Sequence, residues 1–463
     1  MCIIKARTGR EGADRAQADK MHPSSEEKRG FLSRLTDPLG GMVVDGASHS
    51  FPADEPQFFV QSFTFRAPTQ GLRASADGRQ STSTRSASGS GGSLEDSAFL
   101  ALAEVLERHA ACCVENHRVF TASANELGNY ALDLCTLPAC SNRELQSPKC
   151  HIEQPQHDKP IRWVESISLM TGKPCALPFG LVYLYAGKLY PHERLQAPIS
   201  TGLAAHRSLT QALVSGLLEG IERDALSLMW LQMIPSRKLG MGGKDIAMPS
   251  WAGMAHAHLN YCFFDISTDL EVPVVCCIRT APESERAYTL VSCAAGFQPT
   301  VLVEKTVRDI GAISIGFRRE RHVPSDFEDF TAIHHGATYM AHKDRKSAFS
   351  FLLDKENRIP ETVRGSKQIS EELGSGPEEQ QLTYLLERLR TSGFEAYAVD
   401  LTSVEAFSVG MRVVRVVVPG LQPLPYRYAT RYLAHSRLYD APHRMGHRVR
   451  SEKEMNPWPL PFA

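Results

Sequence analysis

Two carboxylates, Glu219 and Glu222, stand three apart in the apolar run LLEGIERDA (217–225), with Arg223 and Asp224 behind them. That spacing puts both acids on one face of a helix. A single Glu-x-x-Glu-Arg usually marks a solvated edge, because charged side chains mostly stay in water. A second copy alters the reading. A shift of 115 positions lays ALAEVLERHA (101–110) over GLLEGIERDA (216–225), matching Glu104 with Glu219, Glu107 with Glu222 and Arg108 with Arg223. Four carboxylates converging from two helices repel one another unless a cation sits among them. Magnesium fits, as a hard cation that takes carboxylate oxygens and keeps positions for phosphate. The flanking arginines suit phosphate as bidentate donors. The chain has neither GxxxxGK[ST] nor a GxGxxG at a strand–helix junction, so a nucleotide site here is of another kind.

The elements that position these residues are legible from periodicity. SLED at 93–96 aligns with SLTQ at 208–211, each a Ser followed three residues later by an acid or amide, so Ser93 and Ser208 are the expected N-caps. Helices are expected over 94–117, 208–233, 300–312 and 379–392. Strands are expected at 58–65, 162–169, 177–185, 260–267, 273–278, 288–296, 394–401 and 411–419. TYLLERLRTSGFEAYAVDLT reads as helix, glycine stop, strand. The mixture predicts an α+β fold with several sheets. Residues 1–30 are polar and expected to be loose, and the Ser, Gly and Arg-rich stretch 73–93 to be a flexible loop.

Bulk composition excludes several function classes. With 51 Lys and Arg against 52 Asp and Glu, no global field draws the chain to nucleic acid or an anionic membrane. No apolar run approaches the roughly 20 residues of a membrane span. The opening MCIIKARTGREGADR lacks the apolar core of a secretory signal. Eleven cysteines without a compact framework suit a reducing cytoplasm.

ISTGLAAHRSLTQALVSGLLEGIERDALSLMW (199–230) resembles the signature of the YcaO superfamily. GSGGSLEDSAFLALAEVLERHAACC (89–113) is similar to that family's first ATP helix, MRVVRVVVPGLQPL (411–424) to its late strand and turn, and RYLAHSRLYDAPHRMG with the closing NPWPLPFA to its C-terminal tail. The resemblance runs from about residue 33 to 463. It implies a YcaO domain over 31–450 and a Pro-rich tail over 451–463. It implies an azoline-forming cyclodehydratase subunit using ATP and Mg2+, in which a Cys, Ser or Thr side chain of a ribosomal precursor peptide attacks the preceding carbonyl and ATP phosphorylates the amide oxygen. The same ATP chemistry with another nucleophile would give a thioamide or amidine, and a chain that has lost turnover would be a scaffold.

Carried over by residue, the resemblance assigns Glu104, Glu107, Glu219 and Glu222 to Mg2+ and nucleotide, with Arg108, Ser200, Gln211 and Arg223 in the same neighbourhood. Pro457, Pro459, Pro461 and Ala463 would form a tail that reaches the active site. Implied partners are the precursor peptide, a ubiquitin-activating-enzyme-like or leader-recognition protein, and a flavin-dependent azoline dehydrogenase, in a homodimer or hetero-oligomer. Departures are specific: SGSGGSLED replaces a Gly-Lys-Gly, Thr201 an Asn, Gln211 an acid, and Asp309 a Glu of the third helix. Arg318 or Arg319 stands in for a late nucleotide-binding Arg.

Other groups carry weaker signals. Cys135, Cys140, Cys150 and His151 lack the CxxC pairs that mark zinc sites and read as loop residues. Cys112–Cys113 and Cys276–Cys277 read as core. Tyr426, Arg427, Arg431 and Arg437 divide equally between ligand binding and structural ion pairs.

Overall fold

A computed structural model describes residues 24–49, 51, 56–67, 84–184, 189–240, 258–317, 322–354 and 372–462. Three antiparallel sheets organise the chain. The first is β1 (Val43–His49), β2 (Phe59–Arg66) and β3 (Thr84–Gly91), in that order. The six-stranded sheet runs β4 (Val119–Ala122), β5 (Ile161–Ser168), β12 (Tyr397–Asp400), β13 (Arg412–Val417) and β7 (Leu203–His206), with β6 (Pro174–Pro178) also paired to β5. The third holds β11 (Thr289–Ala295), β10 (Val274–Thr280), β9 (Asn260–Asp265) and β8 (Arg237–Lys238). The main helices are α1 (Ser25–Leu35), α2 (Leu94–Ala110), α3 (Leu209–Leu231), α4 (Pro299–Phe317), α5 (Ile333–Met340), α6 (Glu378–Thr391) and α7 (Arg437–Arg444).

The α+β expectation holds, and four local readings are corrected. Residues 24–30 cap and begin α1, where Ser24 and Glu27 form a capping box, so that part of the loose segment is helix. Within 73–93, residues 84–91 form β3 and pair along the whole of β2; residues 73–83 lie outside the described residues. The glycines there serve packing. A Cβ on Gly89 would sit 2.3 Å from the amide nitrogen of Ala101, so only glycine lets β3 lie directly on α2. The stretch 177–185 turns after β6 into a short helix, Phe179–Val182, whose Phe179, Leu181 and Val182 are buried. An uninterrupted apolar run cannot distinguish a strand from a buried helical turn. Helix α2 also stops at Ala110, short of 117, and the chain reverses through Cys112 and Cys113 into β4.

Both predicted caps form. The Ser93 hydroxyl accepts from Asp96 N–H at 3.0 Å, and Ser208 from Gln211 N–H at 3.3 Å. Neither closes the reciprocal half of a capping box: Ser93 donates to Asp96 (2.8 Å) and Ser208 to Glu378 (2.5 Å). From Ala225 to Leu231 every residue of α3 is buried, with Trp230 against Phe349 and Phe351. This helix is thus a central strut between the six-stranded and four-stranded sheets, touching β7, β13 and β11.

Candidate functional site

Three strand–helix units meet around one point. Strand β3 feeds α2, β7 feeds α3 and β11 feeds α4. Each helix packs on its own strand and on the next unit's strand: α2 on β3 and β7, α3 on β7 and β11, α4 on β11 and β3. The units therefore close into a ring. Counting from the helix starts, the eleventh residues are Glu104, Glu219 and Asp309, and the fourteenth are Glu107, Glu222 and Ala312. The twofold repeat of the sequence is thus part of a threefold arrangement whose third member keeps one of its two acids.

Equivalent carboxylates make equivalent hydrogen bonds. Glu104 accepts from Ser88 N–H (2.8 Å) and Glu219 from Gly202 N–H (2.9 Å), each on the segment leading into its own helix. Glu107 accepts from Ala205 N–H (2.8 Å) and Glu222 from Ala295 N–H (3.2 Å), each on the following unit's strand. One backbone donor thereby orients each acid. Arg108 pairs with Glu104 at 2.5 Å and donates to the Ser86 carbonyl. Arg223 bridges Glu219 (3.4 Å) and Glu222 (3.2 Å). No salt bridge reaches Glu107 among the described residues. The side chains of Glu104 and Glu219 stay 29% and 27% exposed, so a ligand can reach them.

Burial and mutual repulsion oppose the negative charge of Glu104 and Glu107. Burial pushes the Glu107 carboxyl well above its ordinary range, and the Glu104 and Glu219 charges add to the shift. Burial also raises Glu104, against the opposing pull of Arg108 and the Ser88 hydrogen bond. Burial disfavours the charge on Arg223, yet Glu222 and Glu219 outweigh it and hold the guanidinium above its usual value. Lys305 behaves likewise: burial opposes its charge, but Asp309 at 2.8 Å and Glu222 keep its pKa raised. Buried Arg415 donates to the carbonyls of Leu181 (2.9 Å) and Ile199 (3.0 Å), and burial brings it down to about 10 despite Glu219. Four hard carboxylate donors fit a magnesium ion, which would displace the protons that the raised Glu104 and Glu107 retain.

The Pro-rich tail runs along α3. Pro459, Leu460, Pro461 and Phe462 are buried, whereas Pro457 is exposed. Asn456 N–H donates to the Leu231 carbonyl at 2.9 Å, Trp230 Nε1 to Trp458 O at 3.1 Å, and the Tyr428 hydroxyl to Pro457 O at 2.9 Å. The Phe462 ring lies 4.4 Å from the Arg223 guanidinium carbon. Beside this contact, a cavity is lined by Thr201, Gly202, Gly216, Arg223, Arg415 and Pro419. Ala463 lies outside the described residues.

Other expected site residues sit at the margin. Ser200 is half-buried, and its carbonyl accepts from Leu203 N–H at 2.9 Å. Gln211 lies in the first turn of α3, and its side-chain oxygen is buried without a hydrogen-bond partner. Arg318 and Arg319 lie outside the described residues. Asp224 points away from the ring into a buried ion pair with Arg437 (2.8 Å), which also meets Asp269 at 2.7 Å. Arg431 donates to Asn456 O at 3.0 Å and so holds the tail. Sequence reasoning missed Lys305 and Arg415. A lysine one turn before Asp309 and a charge interrupting the apolar text of 411–419 were the available signals.

A family model described as YcaO cyclodehydratase, ATP- and Mg2+-binding, matches residues 88–422. A heterocyclase solved in complex with substrate and cofactor is similar at 22% identity and a TM-score of 0.73, over 95% of this chain and 57% of that one. This chain thus spans a little over half the length of that heterocyclase. The YcaO protein of Methanopyrus kandleri, solved with AMPPCP and Mg2+, is 20% identical with a TM-score of 0.57, over 86% and 90% of the two chains. The E. coli microcin synthetase McbBCD complex gives 15% and 0.56, over 92% and 99%. These likenesses establish a common fold. With the family model spanning most of its length, the chain belongs to the YcaO cyclodehydratase family.

Proposed function

We propose that the protein is an ATP-dependent heterocyclase acting on Cys, Ser or Thr of a ribosomally made peptide. The observation that carries this reading is the ring of Glu104, Glu107, Glu219 and Glu222, each oriented by a backbone N–H and together short of cationic charge. Amide oxygen is a poor leaving group. Phosphorylating it after ring closure lets it depart as phosphate, so that an azoline forms with loss of one water per ring.

In this reading the four glutamates hold Mg2+, which when bound supplies charge neutralisation for the transferred phosphoryl group. Arg223, tied to Glu219 and Glu222, stays charged and offers donors toward phosphate. Lys305, whose side chain is 45% exposed, supplies a second cation on the Glu222 side. Phe462 covers one face of the Arg223 guanidinium and excludes water from it, while the in-plane N–H donors stay available to phosphate. The bonds from Asn456 and Trp230 keep that ring in place with little further loss of entropy on peptide binding. The implied partners are the precursor peptide and a leader-recognition or ubiquitin-activating-enzyme-like protein, with a flavin-dependent dehydrogenase acting afterwards. The similarity to a heterocyclase solved with substrate and to a multi-subunit synthetase supports this assignment.

The test is phosphate release and peptide mass with candidate precursor and partner present, for the wild-type chain and Glu222→Gln. Loss of one water per ring, matched by released phosphate and abolished in the variant, supports heterocyclisation. A product that exchanges oxygen for sulfur points to thioamide chemistry, and one that loses water yet keeps every Cys, Ser and Thr side chain free points to an amidine. Peptide binding without any ATP consumption makes the chain a scaffold.

A further inference from the structure

Away from the carboxylate ring, the segment ALDLCTL (131–137) is pinned by its leucines. Leu132, Leu134 and Leu137 are buried, Leu132 N–H donates to Ala176 O at 2.9 Å, and the alternation turns Asp133 and Cys135 outward. Opposite them stands His157, half-buried, its carbonyl accepting from Asn125 N–H at 3.0 Å. Ligand atoms of Asp133, Cys135 and His157 all lie within 4.8 Å of one another. Cys135 Sγ and His157 Nε2 are 3.7 Å apart. Zinc bonds of roughly 2.3 Å to sulfur and 2.0–2.1 Å to nitrogen at a tetrahedral angle put those two atoms about 3.6 Å apart. The pair therefore already has the separation of two ligands on one ion.

We propose that Asp133, Cys135 and His157 bind a zinc-class transition-metal ion on the protein surface, with water in the fourth position. The donor set of thiolate, imidazole and carboxylate suits zinc and not magnesium, which takes oxygen. The alternative of a Cys–His–Asp nucleophile conflicts with the geometry. Asp133 Oδ1 accepts from the Cys135 amide at 2.9 Å, so the acid orients the cysteine's own turn and not the far side of the imidazole. One carboxylate oxygen remains for the ion. Of the cysteines and histidine near it in sequence, Cys140 is buried and lies beside Cys150, and His151 stands exposed outside the cluster. Bound metal would clip the 131–137 segment to the loop carrying His157.

The whole chain, stripped with chelator and held in millimolar Mg2+, is titrated with Co2+ alone and followed by absorption. A thiolate-to-cobalt charge-transfer band with tetrahedral visible bands, saturating at one ion and displaced by Zn2+, is expected. Cys135→Ser should remove the charge-transfer band, His157→Ala should weaken cobalt binding more than about tenfold, and Cys150→Ala should leave both unchanged. Circular dichroism confirms that each variant is folded, and Asp133→Asn, which keeps the size of the side chain, should also weaken binding. Glu222→Gln should keep the full cobalt signal, which separates this site from the nucleotide reading. Absence of the band in the wild-type chain, or its survival in Cys135→Ser, overturns the proposal.

Discussion

Phe462 stacks on Arg223 at 4.4 Å, and Arg223 in turn bridges Glu219 and Glu222, so the tail and the acidic ring share one guanidinium. Phe462→Ala removes both a buried ring and a cation–π contact, and should cost about 2 to 4 kcal/mol in denaturant unfolding. Phe462→Leu keeps the burial and should cost only about 1 kcal/mol. If the ring also orders Arg223 for phosphate, both variants raise the KM for ATP, and by more than Leu460→Val does.

Glu222→Gln keeps the shape of the side chain but removes a charge that faces Arg223 and Lys305. Phosphate release should fall by about 100-fold or more. Thermal stability without Mg2+ should also fall, because Arg223 loses its pairing with buried Glu222. A variant that turns over normally removes Glu222 from the site.

Mg2+ binding should strengthen as pH rises. Glu107 and Glu104 have folded-state pKa values above the ordinary 4.5. Their native forms hold protons that the unfolded chain has already released. Their contribution to stability is therefore complete below about pH 4.5 and is lost as pH climbs through the raised values. Titration calorimetry at pH 6 and pH 8 should give tighter Mg2+ binding at the higher pH, with proton release visible as a dependence on buffer ionisation heat. Glu107→Gln should flatten that dependence.

Asp224→Ala leaves Arg437 buried with half its partners, at a cost of about 3 to 5 kcal/mol. The damage should be confined to stability. At a temperature where the variant is folded, its kcat should match the wild type.

Gly89→Ala drives a methyl group into the α2 backbone and should cost about 3 kcal/mol. Because Ser88 N–H orients Glu104, Mg2+ affinity should fall as well. Gly92→Ala, which meets nothing within 4 Å, is the control.

The two acidic helices were legible because their charges recur at one spacing behind matching serine caps, and helical periodicity is local. The strands were legible where β-branched and aromatic residues formed short runs, as at Asn260–Asp265 and Thr289–Ala295. The third helix was reached through the resemblance and not through the repeat, since α4 keeps only Asp309 of the repeated acids and puts Ala312 where the second would be. The backbone donors of Ala205 and Ala295 carry no side-chain signature at all. Residues 84–91 were misread for a physical reason: Ser and Gly signal flexibility only when nothing packs on them, and here a helix does. Asp224 follows Arg223 directly, but adjacent helical residues face different directions, and the long-range partner Arg437 sets its role.

The docked tail has a consequence for the order of events. Residues 457–462 follow every strand and helix of the ring in chain order, so α3 must fold with an open groove beside Trp230 and Arg223. During synthesis the ring can assemble before its last wall arrives. Since the tail pairs with no strand, its withdrawal would uncover one face of Arg223 without disturbing a sheet.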